Sequence, residues 1–178
     1  MSEKYILLDR DGVINHDSDD FIKSPDEWHA TDNSLQAIAR LHQAGYKVII
    51  ITNQSGVGRG LYSDADLTAI HLKMQQQVEA TGGKIEQIYY CPHLPDAQCS
   101  CRKPKAGMLL QFAKDYAVSL DKIYFVGDSL RDLQAGIAAG AKPILVKTGN
   151  GEKTLATNPD LDLPIFETLY DASDFILS

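Results

Sequence analysis

Short apolar runs alternate along this chain with segments whose apolar residues recur at helical spacing. Tyr5 to Asp9 reads as a strand, and Ser34 to Ala44 as a helix with Leu35, Ile38 and Leu41 on one face and Gly45 as its C-cap. Within Lys47 to Thr52, Val48-Ile49-Ile50-Ile51 is a β-branched run long enough for a buried strand. Ser63-Asp64-Ala65-Asp66 has the form of a capping box, with Asp for the commoner Glu, and opens a helix that runs to Ala80 before Gly82-Gly83 ends it. Ile85 to Tyr90, Ile123 to Val126 and Ile144 to Val146 are further strands. Met108 to Tyr116 and Leu130 to Ala139 are helices, the second stopped by Gly140. The stretch from Cys91 to Gly107 contains three prolines and is irregular. Lys147 to Pro164 is polar and loop-like, and Tyr170 to Leu177 forms a short closing helix.

Strands alternating with helices pair in parallel through right-handed crossovers, which predicts an α/β fold, a doubly wound parallel sheet with helices on both faces. Residues 1–178 are expected to form a single domain. In such sheets ligands bind at the carboxyl ends of the strands. The first, second and fourth strands end at Asp9, Thr52 and Asp128, and the loop after the third carries Arg102 and Lys103. Reactive polar groups therefore converge on one rim.

Composition narrows the setting. Apolar residues at 44% and charged residues at 23% describe an ordinary globular chain. No apolar run approaches the roughly 18 residues of a transmembrane helix, and the opening Met1-Ser2-Glu3-Lys4 lacks a signal-peptide pattern. A cytoplasmic monomer is expected, without a membrane partner. The formal charge of −7 argues against nucleic acid or an anionic membrane, but a small phosphorylated substrate responds to local charge in the pocket.

Asp9-Arg10-Asp11-Gly12 sets two carboxylates just past a buried strand, where both can face one crevice. Adjacent carboxylates repel unless a cation lies between them, so a hard divalent metal is implied, and magnesium suits few protein oxygens plus waters and phosphate. Asp128 would complete the carboxylate set. Asp-x-Asp-Gly alone is equally well a capped turn; four strand-end elements of matching chemistry shift the balance. Thr52 could hold phosphoryl oxygens, the glycine-rich loop Asn53 to Gly60 lets backbone N–H groups approach a phosphate, and Lys103 supplies a point charge.

In this order the residues resemble the haloacid dehalogenase-like hydrolases. The four motifs of that superfamily match Asp9-Arg10-Asp11-Gly12-Val13, Thr52-Asn53, Lys103 and Gly127-Asp128-Ser129-Leu130-Arg131-Asp132. The resemblance implies a magnesium-dependent phosphatase working through an aspartyl-phosphate. Asp9 would attack phosphorus, Asp11 would act as acid and then base, and Thr52 and Lys103 would hold the phosphoryl oxygens. Magnesium would sit on Asp9, the Asp11 carbonyl and Asp128, with Asp132 orienting Lys103 or a metal-bound water. The short segments between motifs leave no room for a large cap domain.

Cys91-Pro92-His93 and Cys99-Ser100-Cys101 supply four ligands, a complete Cys₃His set for zinc. A closed four-ligand site is structural, and here it would order a proline-rich loop that leads directly into Arg102 and Lys103. Together with Gly107-Met108-Leu109-Leu110 and with Phe21-Ile22 after Asp17 to Asp20, this loop resembles that of bacterial heptose-1,7-bisphosphate 7-phosphatases; histidinol-phosphate phosphatases share it. Ser129 departs from members that carry Lys there. This resemblance implies substrate contacts from Asp17, Ser18, Asp19, Asp20, Asn53, Gln54, Ser55, Arg102 and Lys103, with Arg59 meeting a distal phosphate. The implied reaction removes the 7-phosphate of the heptose bisphosphate. Histidinol-phosphate phosphatase is the alternative enzyme. A metal-bound scaffold without activity is the alternative of another class, but it would be expected to have lost Asp9, Asp11 or Asp128.

Overall fold

The computed structural model describes residues 2–178. Six parallel strands, β1 (Lys4–Leu8), β2 (Tyr46–Asn53), β3 (Ile85–Cys91), β4 (Tyr124–Gly127), β5 (Lys142–Val146) and β6 (Ile165–Phe166), form one sheet in the order β3-β2-β1-β4-β5-β6. Helices α1 (Ser34–Gln43), α2 (Ser55–Gly58), α3 (Asp64–Ala80), α4 (Gly107–Asp115), α5 (Leu130–Ala139), α6 (Gly151–Thr157) and α7 (Leu169–Leu177) connect and cover them.

Alternation of side chains along the strands divides the core in two. Ile6, Leu8, Val48 and Ile50 pack on one face with Ile38 of α1, Met74 of α3 and Ile176 of α7. Tyr5, Leu7, Ile49 and Ile51 pack on the other with Met108 and Phe112 of α4 and Ala135 of α5. Because both faces are covered, the run Val48 to Ile51 has no polar member, and each side chain contributes about 1.5–3 kcal/mol by leaving water.

From the central β1 the chain winds outward through β2 and β3, then returns to place β4 on the other side of β1. Loops leaving β1 and β4 consequently diverge, and a crevice opens at their carboxyl ends. Among the described residues, the segments from β1 to α1 and from β2 to α3 hold only a 3₁₀ turn at Pro25–Glu27 and the one-turn α2, so no cap domain covers that crevice.

The polar segment 147–164, expected to be a loop, contains α6, and the two-residue β6 follows at 165–166. Helix α6 is missed by periodicity because it buries a glycine and a threonine, Gly151 and Thr154, instead of an apolar stripe. The Thr154 hydroxyl donates to the carbonyl of Asp128 at 2.8 Å, which ties α6 to the crevice. Two capping boxes start α3 and α5, from Ser63 with Asp66 and from Ser129 with Asp132. Ser129 is thus the N-cap of α5.

Candidate active site

The crevice has a volume of about 250 Å³ and is lined mainly by polar side chains from the ends of β1, β2 and β4. Asp9 extends β1, its N–H donating to the Val126 carbonyl at 2.9 Å. Its Oδ1 accepts from the Arg10 N–H at 2.8 Å and from Lys103 Nζ at 2.9 Å. Lys103 is buried, donates also to the Ile51 carbonyl at 2.9 Å, and pairs with Asp132 Oδ1 at 2.7 Å. The other oxygen of Asp132 accepts from the N–H groups of Asp128 and Ser129, each at 3.1 Å, and from the Ser129 hydroxyl at 2.9 Å. Asp132 therefore joins Lys103 to the β4–α5 turn.

Burial, reinforced by the charge of Asp132, raises the Asp9 carboxyl well above its ordinary range. Burial and Asp132 likewise push Asp128 up to about 7. Lys103 is desolvated too, but Asp132 and Asp9 outweigh that and raise its pKa. Oxygens of Asp9, Asp128 and Asp132 lie within 4.8 Å of one another. Three buried carboxylates against one buried ammonium leave negative charge to be balanced, and an all-oxygen donor set fits magnesium. Both oxygens of Asp132 are already engaged, so Asp9 and Asp128 are the side chains available to such an ion. Gly12 (φ +84°) and Gly149 (φ +57°) close in on Asp128; a Cβ on Gly12 would lie 2.0 Å from its Oδ2.

Asp11 has different surroundings. Its Oδ1 accepts from Arg10 Nε at 2.9 Å and Asn15 Nδ2 at 2.9 Å, and its Oδ2 from Gln54 Nε2 at 3.2 Å. Burial favours the neutral acid, but the Arg10 charge and these bonds win, holding the carboxyl below its usual range.

Of the other sequence-predicted residues, Asp17, Ser18, Asn53, Gln54, Ser55, Arg59 and Arg102 line the crevice. Asn53 and Lys103 clamp each other: Asn53 Nδ2 donates to the Lys103 carbonyl at 3.1 Å, and the Lys103 N–H to Asn53 Oδ1 at 3.0 Å. Thr52 does not line the crevice. It is fully buried, and its hydroxyl accepts from Gln54 Nε2 at 2.9 Å. Asp19 and Asp20 also stand outside the lining, because Phe21, in a left-handed conformation (φ 67°), and Ile22 turn inward instead. Asp19 borders a neighbouring groove with Asn150.

Arg131 and Asn150 line the crevice without having been anticipated. The signal for Arg131 was available: a cation in the first turn of a helix opposes the macrodipole, and such a placement calls for another reason. Arg59, Arg102 and Arg131 make no ion pair with a carboxylate among the described residues. Burial lowers the Arg102 pKa, and the charges of Arg131 and Arg59 lower it further. Three unpaired guanidinium groups at one opening favour an anion.

Cys91, His93, Cys99 and Cys101 bring their ligand atoms within 4.8 Å of one another. His93 turns Nδ1 toward the sulfurs, 3.2 Å from Cys101 and 3.4 Å from Cys91. Three thiols and an imidazole converging on one point fit zinc. The loop is attached to the crevice wall: the Gln54 N–H donates to the Cys91 carbonyl, the Gly58 N–H to the Pro92 carbonyl and Arg102 to the His93 carbonyl. Among the described residues no helix is long and apolar enough to cross a membrane.

The HAD-hydrolase-like family profile matches residues 100–172. A D-glycero-β-D-manno-heptose-1,7-bisphosphate 7-phosphatase of Bordetella bronchiseptica is 58% identical over 153 residues, 86% of each chain. One of the same name from Pseudomonas aeruginosa is 49% identical over 177 residues, 99% of each chain. Among solved structures, the D,D-heptose 1,7-bisphosphate phosphatase of B. bronchiseptica, complexed with magnesium and phosphate, superposes with a TM-score of 0.95 at 52% identity, covering 98% of both chains.

Proposed function

This chain belongs to the haloacid dehalogenase-like hydrolases, in the family of the heptose-1,7-bisphosphate 7-phosphatases, and we propose that it removes the 7-phosphate of D-glycero-β-D-manno-heptose 1,7-bisphosphate, leaving the heptose 1-phosphate. The observation that carries the chemistry is the Asp9–Lys103–Asp132 chain, beside Asp128, at the switch point of the sheet. Both side-chain contacts of Asp9 fall on Oδ1, which leaves Oδ2 to attack phosphorus. The bond from phosphorus to the sugar oxygen breaks as the aspartyl-phosphate forms, and Asp11 gives the departing oxygen its proton. Phosphate entering the crevice brings negative charge against Asp11, which raises its proton affinity for that step. Water then attacks phosphorus, Asp11 takes the proton, and inorganic phosphate and free Asp9 are regenerated. Lys103, whose three N–H groups are directed to Asp9, Asp132 and the Ile51 carbonyl, would act on the transferring phosphoryl group through its charge.

Asp9, Asp128 and the Asp11 carbonyl would hold magnesium, which when bound offsets the charge of carboxylates and phosphate. Cys91, His93, Cys99 and Cys101 would hold structural zinc, and Thr52 would support the phosphoryl site through Gln54. Residues 1–178 would act in the cytoplasm as one domain.

Substrate preference follows from the opening. Arg59, Arg102 and Arg131 attract the second phosphate of a sugar bisphosphate and repel the amine of histidinol phosphate. Phosphate release should give a higher kcat/KM for the heptose bisphosphate than for histidinol phosphate, and the reverse order would overturn the substrate assignment. Arg102→Ala should lose about tenfold or more on the bisphosphate, the scale of one charge-assisted contact, and less on p-nitrophenyl phosphate.

A further inference from the structure

Arg10 lies between the two catalytic aspartates yet is fully buried and does not line the crevice. Its Nε and Nη2 stand 2.9 and 2.8 Å from a single oxygen, Asp11 Oδ1. Its remaining nitrogen, Nη1, lies 3.1 Å from Nε2 of His71, a nearly buried residue in α3 that is 61 positions away in sequence. Arginine only donates, so the His71 Nε2 must accept, which requires a neutral imidazole protonated on Nδ1. Burial and the Arg10 charge enforce that state, driving the His71 pKa down to about 3. The Tyr90 ring meets the imidazole edge to face, with centroids 6.4 Å apart.

The opposite oxygen of Asp11 is set by a parallel chain. Tyr62 donates to Gln54 Oε1 at 2.6 Å, which fixes the amide so that its Nε2 points to Asp11 Oδ2. Tyr62 immediately precedes the N-cap of α3, and His71 lies two turns inside the helix. The segment that opens α3 and the helix itself therefore reach one oxygen each through one intermediate side chain, while Asn15 Nδ2 adds a second donor to Oδ1.

We propose that His71 is a positioning residue for proton transfer, acting through Arg10 to fix the orientation of the Asp11 carboxylate. Electrostatic neutralisation alone would be met by Arg10 anywhere near Asp11. A guanidinium whose Nε donates to one oxygen of Asp11, whose Nη2 lies 2.8 Å from that oxygen without hydrogen-bonding geometry, and whose Nη1 is anchored to a helix constrains rotation as well. The proposal rests on Asp11 being the general acid.

The test is rapid-quench measurement of the first turnover, which isolates phosphoryl transfer to Asp9 from later steps. Two substrates are compared: the heptose bisphosphate, whose alkoxide needs a proton, and p-nitrophenyl phosphate, whose leaving group does not. Misplacing a catalytic group by about 1 Å costs on the order of 10²-fold, so His71→Leu should slow the bisphosphate by about 10- to 100-fold while p-nitrophenyl phosphate changes by less than about threefold. His71→Gln, which returns an acceptor near the Nε2 position, should restore most of the ratio. The ratio of the two rates is measured on the same molecules, so a reduced folded fraction cancels. If His71→Leu does not fold, His71→Asn, whose acceptor falls short of Arg10, takes its place with the same expected ratio. Tyr62→Phe, which releases the Gln54 amide, should lower the ratio from the other side. Equal losses on both substrates, or an unchanged ratio, would overturn the proposal. Asp11→Asn is the control: if it shows no leaving-group difference, the acid role of Asp11 is wrong, a failure distinct from that of His71.

Discussion

Asp132→Asn tests whether Lys103 depends on its second carboxylate. The substitution preserves shape but leaves one acceptor oxygen where two are used. With that oxygen toward the β4–α5 turn, the new NH₂ faces the Lys103 ammonium; reversed, it faces the N–H groups of Asp128 and Ser129. Either way a buried pair is broken, at about 3–5 kcal/mol. Relief of repulsion on Asp9 and Asp128 offsets this. At separations within 4.8 Å and an effective dielectric constant of about 20, that relief is roughly 3 kcal/mol for each of the two carboxylates, less whatever protonation has already relaxed. Bound magnesium cancels the same repulsion, so the offset should operate only in chelated protein. Urea melts should therefore show a loss of about 3–5 kcal/mol with magnesium and a smaller one without it. The kcat should fall about 10²- to 10³-fold, the scale of a lost transition-state donor, because Lys103 keeps its charge but not its aim. Activity within about threefold of the parent, or a larger destabilisation in chelator than in magnesium, would refute this account.

Three further outcomes are expected. Gly12→Ala places a methyl on Asp128 Oδ2 and strains a positive φ, so half-maximal activity should require at least about tenfold more magnesium; an unchanged titration would count against Asp128 as a ligand. Cys99→Ser should lower bound zinc below about one equivalent and reduce activity on the bisphosphate without altering the magnesium requirement, as metal analysis and activity titrations can check. Metal-free protein should lose stability as pH rises from about 4 to 7: Asp128 has its pKa raised to about 7 when folded, so its contribution is fully present below the unfolded value and disappears as the folded group ionises. Thermal melts that rise over that interval without metal would contradict the assignment.

The sheet was legible because its central strands are buried on both faces, and a run such as Val48 to Ile51 has few other uses. Asp9, Asp128 and Lys103 were legible for a related reason, since each follows directly on a strand or a motif. Substrate-facing loops were less so. Spacing does not reveal that Phe21 turns at a positive φ and brings itself and Ile22, rather than Asp19 and Asp20, to the crevice. Nor does it reveal that the Asn53 side chain clamps the backbone of Lys103, or that Thr52 faces Gln54. Arg10 and His71 escaped because their significance lies in a contact spanning 61 residues, and an arginine inside a motif looks like a solvated one until its burial is known. Helix α6 escaped because its anchor is a polar bond from Thr154 to Asp128.

The arrangement also reconciles an acidic protein with an anionic substrate. A net charge of −7 opposes approach of a bisphosphate over the surface at large. Within the crevice the charges are sorted by depth. The carboxylates of Asp9, Asp128 and Asp132 are buried, where Lys103 pairs with two of them and a divalent ion would balance the rest, while Arg59, Arg102 and Arg131 remain without carboxylate partners among the described residues. Burial lowers the Arg102 pKa, and the charges of Arg131 and Arg59 lower it further, a repulsion that an arriving anion relieves. A bisphosphate carries one anionic group for the buried end of the crevice and a second for its arginines, so preference for it over a monophosphate would come from these side chains without a cap domain to enforce it.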